Sequence, residues 1–205
     1  GTVPGMVAAQ RRVTVFANRT SVGGGGEQIT DGGFANLANW PDGNCPPNKN
    51  EGTVSIVANA LSIASNTGKK KGMDDCRVQT LAASIPPSTN VLLSLKYKFD
   101  TNYDCSSASS NSTAKCLMSI MFIYSDSTTE TPWTNSTYTP AWTESGNISW
   151  TTKAGINLTN IGLKYDVESA NQNDAQTTGW LDDVSLVSSA SGTIPISIVN
   201  WQEIY

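Results

Sequence analysis

Val91-Leu92-Leu93-Ser94-Leu95-Lys96-Tyr97-Lys98-Phe99 is the stretch on which the fold turns. Val91, Leu93, Leu95, Tyr97 and Phe99 fall on one side of an extended chain, and Leu92, Ser94, Lys96 and Lys98 on the other. That is the period of a strand with one mostly buried face. Ile161, Leu163, Tyr165 and Val167 alternate in the same way with Gly162, Lys164, Asp166 and Glu168. Leu117 to Tyr124 is almost continuously apolar, which predicts a central strand covered on both faces. Thr53–Ala58, Cys76–Ala82, Ile148–Thr152, Trp180–Val187 and Ile194–Trp201 read as further strands between clusters of Gly, Pro, Asn and Asp. No segment shows three turns of amphipathic helix. Many short strands with turns between them predict an all-β fold, an antiparallel β-sandwich of jelly-roll type.

Composition removes several functions. The chain has 205 residues, 13 Lys+Arg, 17 Asp+Glu and a net charge of −4, so it lacks the basic face that nucleic acid requires. It contains no histidine. Ser–His–Asp and Cys–His catalysis, His-ligated metals and imidazole acid–base chemistry are therefore absent. No apolar run reaches the length of a membrane span. The opening Gly1-Thr2-Val3-Pro4 has no basic region followed by a long apolar one, so a secretory signal is expected to have been removed already.

Four cysteines, Cys45, Cys76, Cys105 and Cys116, form no Cys-x-x-Cys pair. Their even number in a polar, Asn-rich chain favours two disulfides and an extracellular or cell-surface location. Three connectivities are open. Cys45–Cys76 with Cys105–Cys116 is favoured because the second bond would pin the ends of the polar insert Ser106 to Lys115. Asn18, Asn111, Asn135, Asn147 and Asn157 each begin an Asn-x-Ser/Thr acceptor. Chance alone yields about four such triplets at this composition, so context must decide, and Asn111 and Asn135 lie in turn-rich loops suited to a glycan.

Three further segments bear a resemblance. Gln28-Ile29-Thr30-Asp31-Gly32-Gly33-Phe34, with Trp40 after it, opens the series. Cys76-Arg77-Val78-Gln79-Thr80-Leu81 follows, leading through Ile85-Pro86-Pro87 to the strand from Val91. Gly179-Trp180-Leu181-Asp182-Asp183-Val184-Ser185-Leu186 closes it. In order and spacing these resemble the galactose-binding-like, carbohydrate-binding-module type of jelly roll over residues 28–187. The resemblance implies a structural calcium between the opening and closing motifs, with oxygens from Asp31, Asp182 or Asp183. Ala35 departs from the pattern, since that family often has Glu there. Strict alternation would put Asp182 on the face of Val184 and Leu186, where a carboxylate needs a partner.

Sugar binding requires exposed aromatic platforms, and Trp133, Tyr138 and Trp142 in the insert from Ser125 to Trp150 are the candidates. Trp40, Trp150 and Trp180 lie in or beside strands and read as core. For catalysis, Asp74, Asp75, Asp104, Glu130 and Glu144 are present, but no spacing singles out a pair, so the chain reads as non-catalytic. A polysaccharide-active enzyme is the least favoured class.

The organisation reads as an extension at 1–22, a hinge at Gly23, Gly24, Gly25 and Gly26, a sandwich at 27–187 and a second extension at 188–205. The tetraglycine precedes no helix, so it is a hinge rather than a phosphate loop. Val13 and Val15 share one strand face, with Phe16 opposite. Such a segment either covers its own sandwich or is donated to a second copy, which would build a filament or surface layer. The leading expectation is thus a self-assembling extracellular glycoprotein; the alternative is a polysaccharide-binding module.

Overall fold

The computed structural model describes residues 25–43, 52–64, 73–100, 115–168 and 178–189. The extension carrying Val13, Val15 and Phe16, the expected strand 194–201, Gly23, Gly24, Cys45, Cys105, Asn18 and Asn111 lie outside the described residues.

Among the described residues, ten strands form two antiparallel sheets. They are β1 (Thr53–Val57), β2 (Ala60–Ala64), β3 (Met73–Ile85), β4 (Asn90–Phe99), β5 (Lys115–Tyr124), β6 (Thr129–Asn135), β7 (Thr143–Glu144), β8 (Ile148–Thr151), β9 (Leu158–Glu168) and β10 (Thr178–Ser188). One sheet has six strands in the order β1-β2-β10-β4-β7, with β8 also pairing β4; the other has four, β3-β9-β5-β6. The chain crosses repeatedly between the sheets, from β2 to β3, β3 to β4, β4 to β5, β6 to β7, β8 to β9 and β9 to β10. The predicted all-β sandwich is what the chain adopts.

Alternation builds the core as the sequence dictates. Leu93, Leu95 and Phe99 of β4, with Leu61, Ile63 and Leu181, meet Met118, Ile120, Phe122, Leu163 and Tyr165 of the opposing sheet. The Phe99 and Tyr165 rings meet across the interface at 6.2 Å. β5 lies inside its sheet between β9 and β6, and its second face is covered as well, because Ser119 and Met121 are buried. The continuous apolar run is explained by that double cover.

The segment before β1 closes one side of the sandwich. Gln28 donates its backbone N–H to Leu186 O of β10, and its own carbonyl accepts from Ala82 N of β3, so one residue joins both sheets. Glu27 holds the same place, accepting from Leu186 N and Ile29 N at 2.9 and 2.8 Å. Gly26, the last residue of the expected hinge, accepts at its carbonyl from Ser188 N. Phe34 and Trp40 then plug the core with rings 5.2 Å apart. Gly32 is required where it stands. A Cβ there would lie 1.9 Å from Val184 O, and Gly32 O accepts from Val184 N. The opening and closing motifs are thus in direct backbone contact.

Candidate functional site

The outer face of the six-stranded sheet carries the chemistry left open by the core. Because Leu93, Leu95 and Phe99 turn inward, Leu92, Ser94, Lys96 and Lys98 turn outward. On β10, Trp180 pairs with Lys98 and Asp182 with Lys96, so both share that outer face. Glu144 of β7 lies opposite Lys96 on the other side. The loop from Tyr138 to Trp142 crosses the end of β4, anchored by Phe99 N donating to Thr139 O at 2.8 Å.

Asp182 corrects the expectation drawn from alternation. A β-bulge between Asp182 and Ser185 sets Asp183 and Val184 against one residue of β4, with Asp183 in the left-handed region at φ 47°. The extra residue moves Val184 and Leu186 into the core and leaves Asp182 outside. Burial against its neighbours raises the Asp182 pKa; adjacent Asp183 also raises it, while the Asp183 N–H and Lys96 lower it. Asp183 pairs with Lys96 at 2.8 Å, and that contact raises the lysine's pKa.

Lys98 sits between two indoles. Its Nζ lies 4.8 Å from the centroid of Trp180 and 5.1 Å from that of Trp142, within cation–π range of both. Trp180, expected in the core, therefore lies on this outer face, with Nε1 covered and lacking an acceptor among the described residues. Trp142 is 43% exposed and Tyr138 40%. Trp133, by contrast, is half-buried and packs against the core with its ring 5.0 Å from Tyr97. Trp40 is buried and Trp150 half-buried against the core, as expected.

The three aspartates named for calcium do not converge. Both carboxylate oxygens of Asp31 are taken by N–H donors: Ala35 N at 2.7 Å, Asn36 N at 3.0 Å and Asn39 Nδ2 at 3.0 Å. Burial opposes its ionisation, yet these bonds prevail and lower its pKa. N–H donors aimed at a carboxylate repel a cation, so this donor set does not fit calcium. Among the described residues no group of three His, Cys, Asp or Glu could hold a metal.

Two of the acids considered for catalysis, Glu130 and Asp75, are occupied elsewhere, while Glu144 is exposed on the outer face opposite Lys96. Glu130 accepts from the Tyr124 hydroxyl and from Trp150 Nε1. Burial, then the Glu130 hydrogen bond, pushes the Tyr124 pKa up to about 12. Asp75 is buried beside Arg77, whose guanidinium also reaches Asp42 at 2.5 Å; burial raises the Asp75 pKa. Asp104 and the Asp74 side chain lie outside the described residues.

Cys76 and Cys116 are both disulfide-bonded. They cannot bond each other, because Cys116 points into the core and Cys76 into the small cluster with Met121 on the opposite face of the same sheet. Gly43 N donates to Cys76 O, which brings the chain beside Cys76 two residues before Cys45. Asn147 and Asn157 are exposed; Asn135 is half-buried, its Nδ2 donating to Thr137 O at 3.0 Å.

No protein-family model and no curated protein sequence matches the chain. Among solved structures, it is similar to a family 16 carbohydrate-binding module at 15% identity and TM-score 0.45, over 78% of this chain and 99% of that one. A xylan-binding domain from Paenibacillus barcinonensis matches at 10% identity and TM-score 0.45, over 81% and 94%. The enzymatically active domain of bacteriophage CBA120 tailspike protein 4 matches at 14% identity and TM-score 0.49, over 80% and 21%. At these values no ligand and no residue role passes from those proteins to this chain.

Proposed function

We propose that this is a non-catalytic module that binds polysaccharide on the outer face of its six-stranded sheet. The observation that supports it is the open indole of Trp142 beside Lys98 and Trp180. Sugar C–H faces stack on such rings while charged and amide groups fix the hydroxyls. The Asp182, Asp183, Glu144 and Lys96 side chains offer those polar contacts along the same face. Affinity electrophoresis of the full chain in gels containing xylan, β-glucan or pectin tests the reading. Retardation that Trp142→Ala removes, with an unchanged melting temperature, supports it; no retardation in any gel rejects it. We further propose an extracellular setting with N-linked glycan at Asn135, which intact mass before and after glycan removal tests.

One observation favours a second reading, a structural subunit that accepts a strand from a neighbouring copy. Edge strand β1 reads Thr-Val-Ser-Ile-Val, with no charge and no proline, and no described strand lies on its far side. Natural edges are usually blunted by such residues, and an unblunted one is a template for pairing. The donor in this reading is the segment with Val13, Val15 and Phe16. Deleting residues 1–21 would leave a folded monomer and abolish any polymer; persistence of the polymer rejects it.

A further inference from the structure

Resting on the polysaccharide reading, we infer that the face between Trp142 and Trp180 selects acidic sugars, a uronate carboxylate docking on the Lys98 ammonium while its ring stacks on Trp142. The charges along the face are unequal. Lys96 is neutralised by Asp183 at 2.8 Å and faces Asp182 and Glu144 across its two neighbouring strands. Lys98, two residues and so about 7 Å further along β4, meets the two π faces. Among the described residues no carboxylate or hydroxyl accepts from it. An ammonium carries three N–H donors, and cation–π contact leaves them free for an anionic oxygen. Held between two rings, the lysine has little freedom left to lose on binding.

The acidic groups set the register of the ligand. An anion is excluded from the stretch by Asp182, Asp183 and Glu144, so the carboxylate belongs at the Lys98 end. The neighbouring sugar then lies over the acidic stretch and offers only hydroxyls to it. The chain's net charge of −4 also works against indiscriminate attraction to polyanions, so retention of one reports a local site.

The test uses the full chain with polygalacturonate and with the same polymer after reduction of its carboxyls to alcohols. We expect polygalacturonate to bind about tenfold more tightly, the worth of one charged hydrogen bond, and the gap to narrow at high salt. Lys98→Gln should equalise the two polymers without shifting the melting temperature. Equal binding of both polymers by the unmodified chain, or a preference that survives Lys98→Gln, overturns the inference and leaves the polysaccharide reading standing. If neither these polymers nor any neutral glycan binds, the polysaccharide reading itself falls.

Discussion

The outer faces of the two sheets have opposite fates. On the four-stranded sheet, Cys76, Ser119, Met121 and Lys164 all turn away from the core, yet all are buried, Met121 at 5% exposure. On the six-stranded sheet the corresponding residues stay open: Leu92 is 46% exposed, its cross-strand neighbour Val187 is exposed too, and Lys96, Lys98 and Trp142 line the rest. One sheet is thus covered on its second side around Cys76, Ser119, Met121 and Lys164, while the outer face of the other stays open.

Substitutions can break or sharpen that contrast. The largest effect is expected at the sealed face, where Cys76→Ser removes a disulfide and should cost about 2–5 kcal/mol in urea denaturation. Met121→Ala should cost about 2 kcal/mol there, since a buried thioether leaves a cavity behind. A cost near zero would mean that the face is less sealed than its burial indicates. Asp31→Asn comes next, at about 1 kcal/mol at neutral pH. The folded-state pKa of Asp31 is lowered, so its contribution is present above the ordinary carboxylate value of 3.8 and is lost as pH falls through the folded value. The gap between Asp31→Asn and the unmodified protein should therefore close in strong acid. Asp182 has a raised pKa, so its sign is reversed. Its contribution is present below 3.8 and lost as pH rises through the folded value, and Asp182→Asn should leave neutral-pH stability unchanged or slightly higher. Leu92→Ala on the open face should change stability by less than about 0.5 kcal/mol.

This contrast was partly legible beforehand. The almost continuously apolar run Leu117–Tyr124 points to a strand covered twice, and the alternation Val91–Phe99 to one covered once. Both readings depend on side-chain periodicity alone, which survives folding. The closing strand misled because its period is broken at Asp183, and nothing in Asp-Asp-Val advertises a bulge. That one extra residue decided the face of Asp182. Trp180 departs from expectation for a related reason. Large aromatics are usually inside, and only the pairing of β10 with β4 reveals the lysine opposite. β2 is hard to read from the sequence because it follows a tight turn at Ala58-Asn59, both with positive φ, where glycine is the usual residue. β6 reads as a loop because it is polar and carries Pro132, which an edge strand tolerates. Trp133 consequently reads as part of the insert from Ser125 to Trp150 rather than of the strand that directs it inward.

Gln28 has a consequence for how the protein comes into being. It bonds the far ends of the described chain together, reaching Ser188 across 160 positions of sequence. While the polypeptide is being made, no partner for Gln28 on β10 exists until nearly the whole sandwich has left the ribosome. Until then the Phe34–Trp40 plug has only part of its socket, and the strands already synthesised keep one flank open. Closure must therefore come late and slowly, in the manner of folds dominated by distant pairings. During that interval the growing chain is most exposed to pairing with the wrong neighbour.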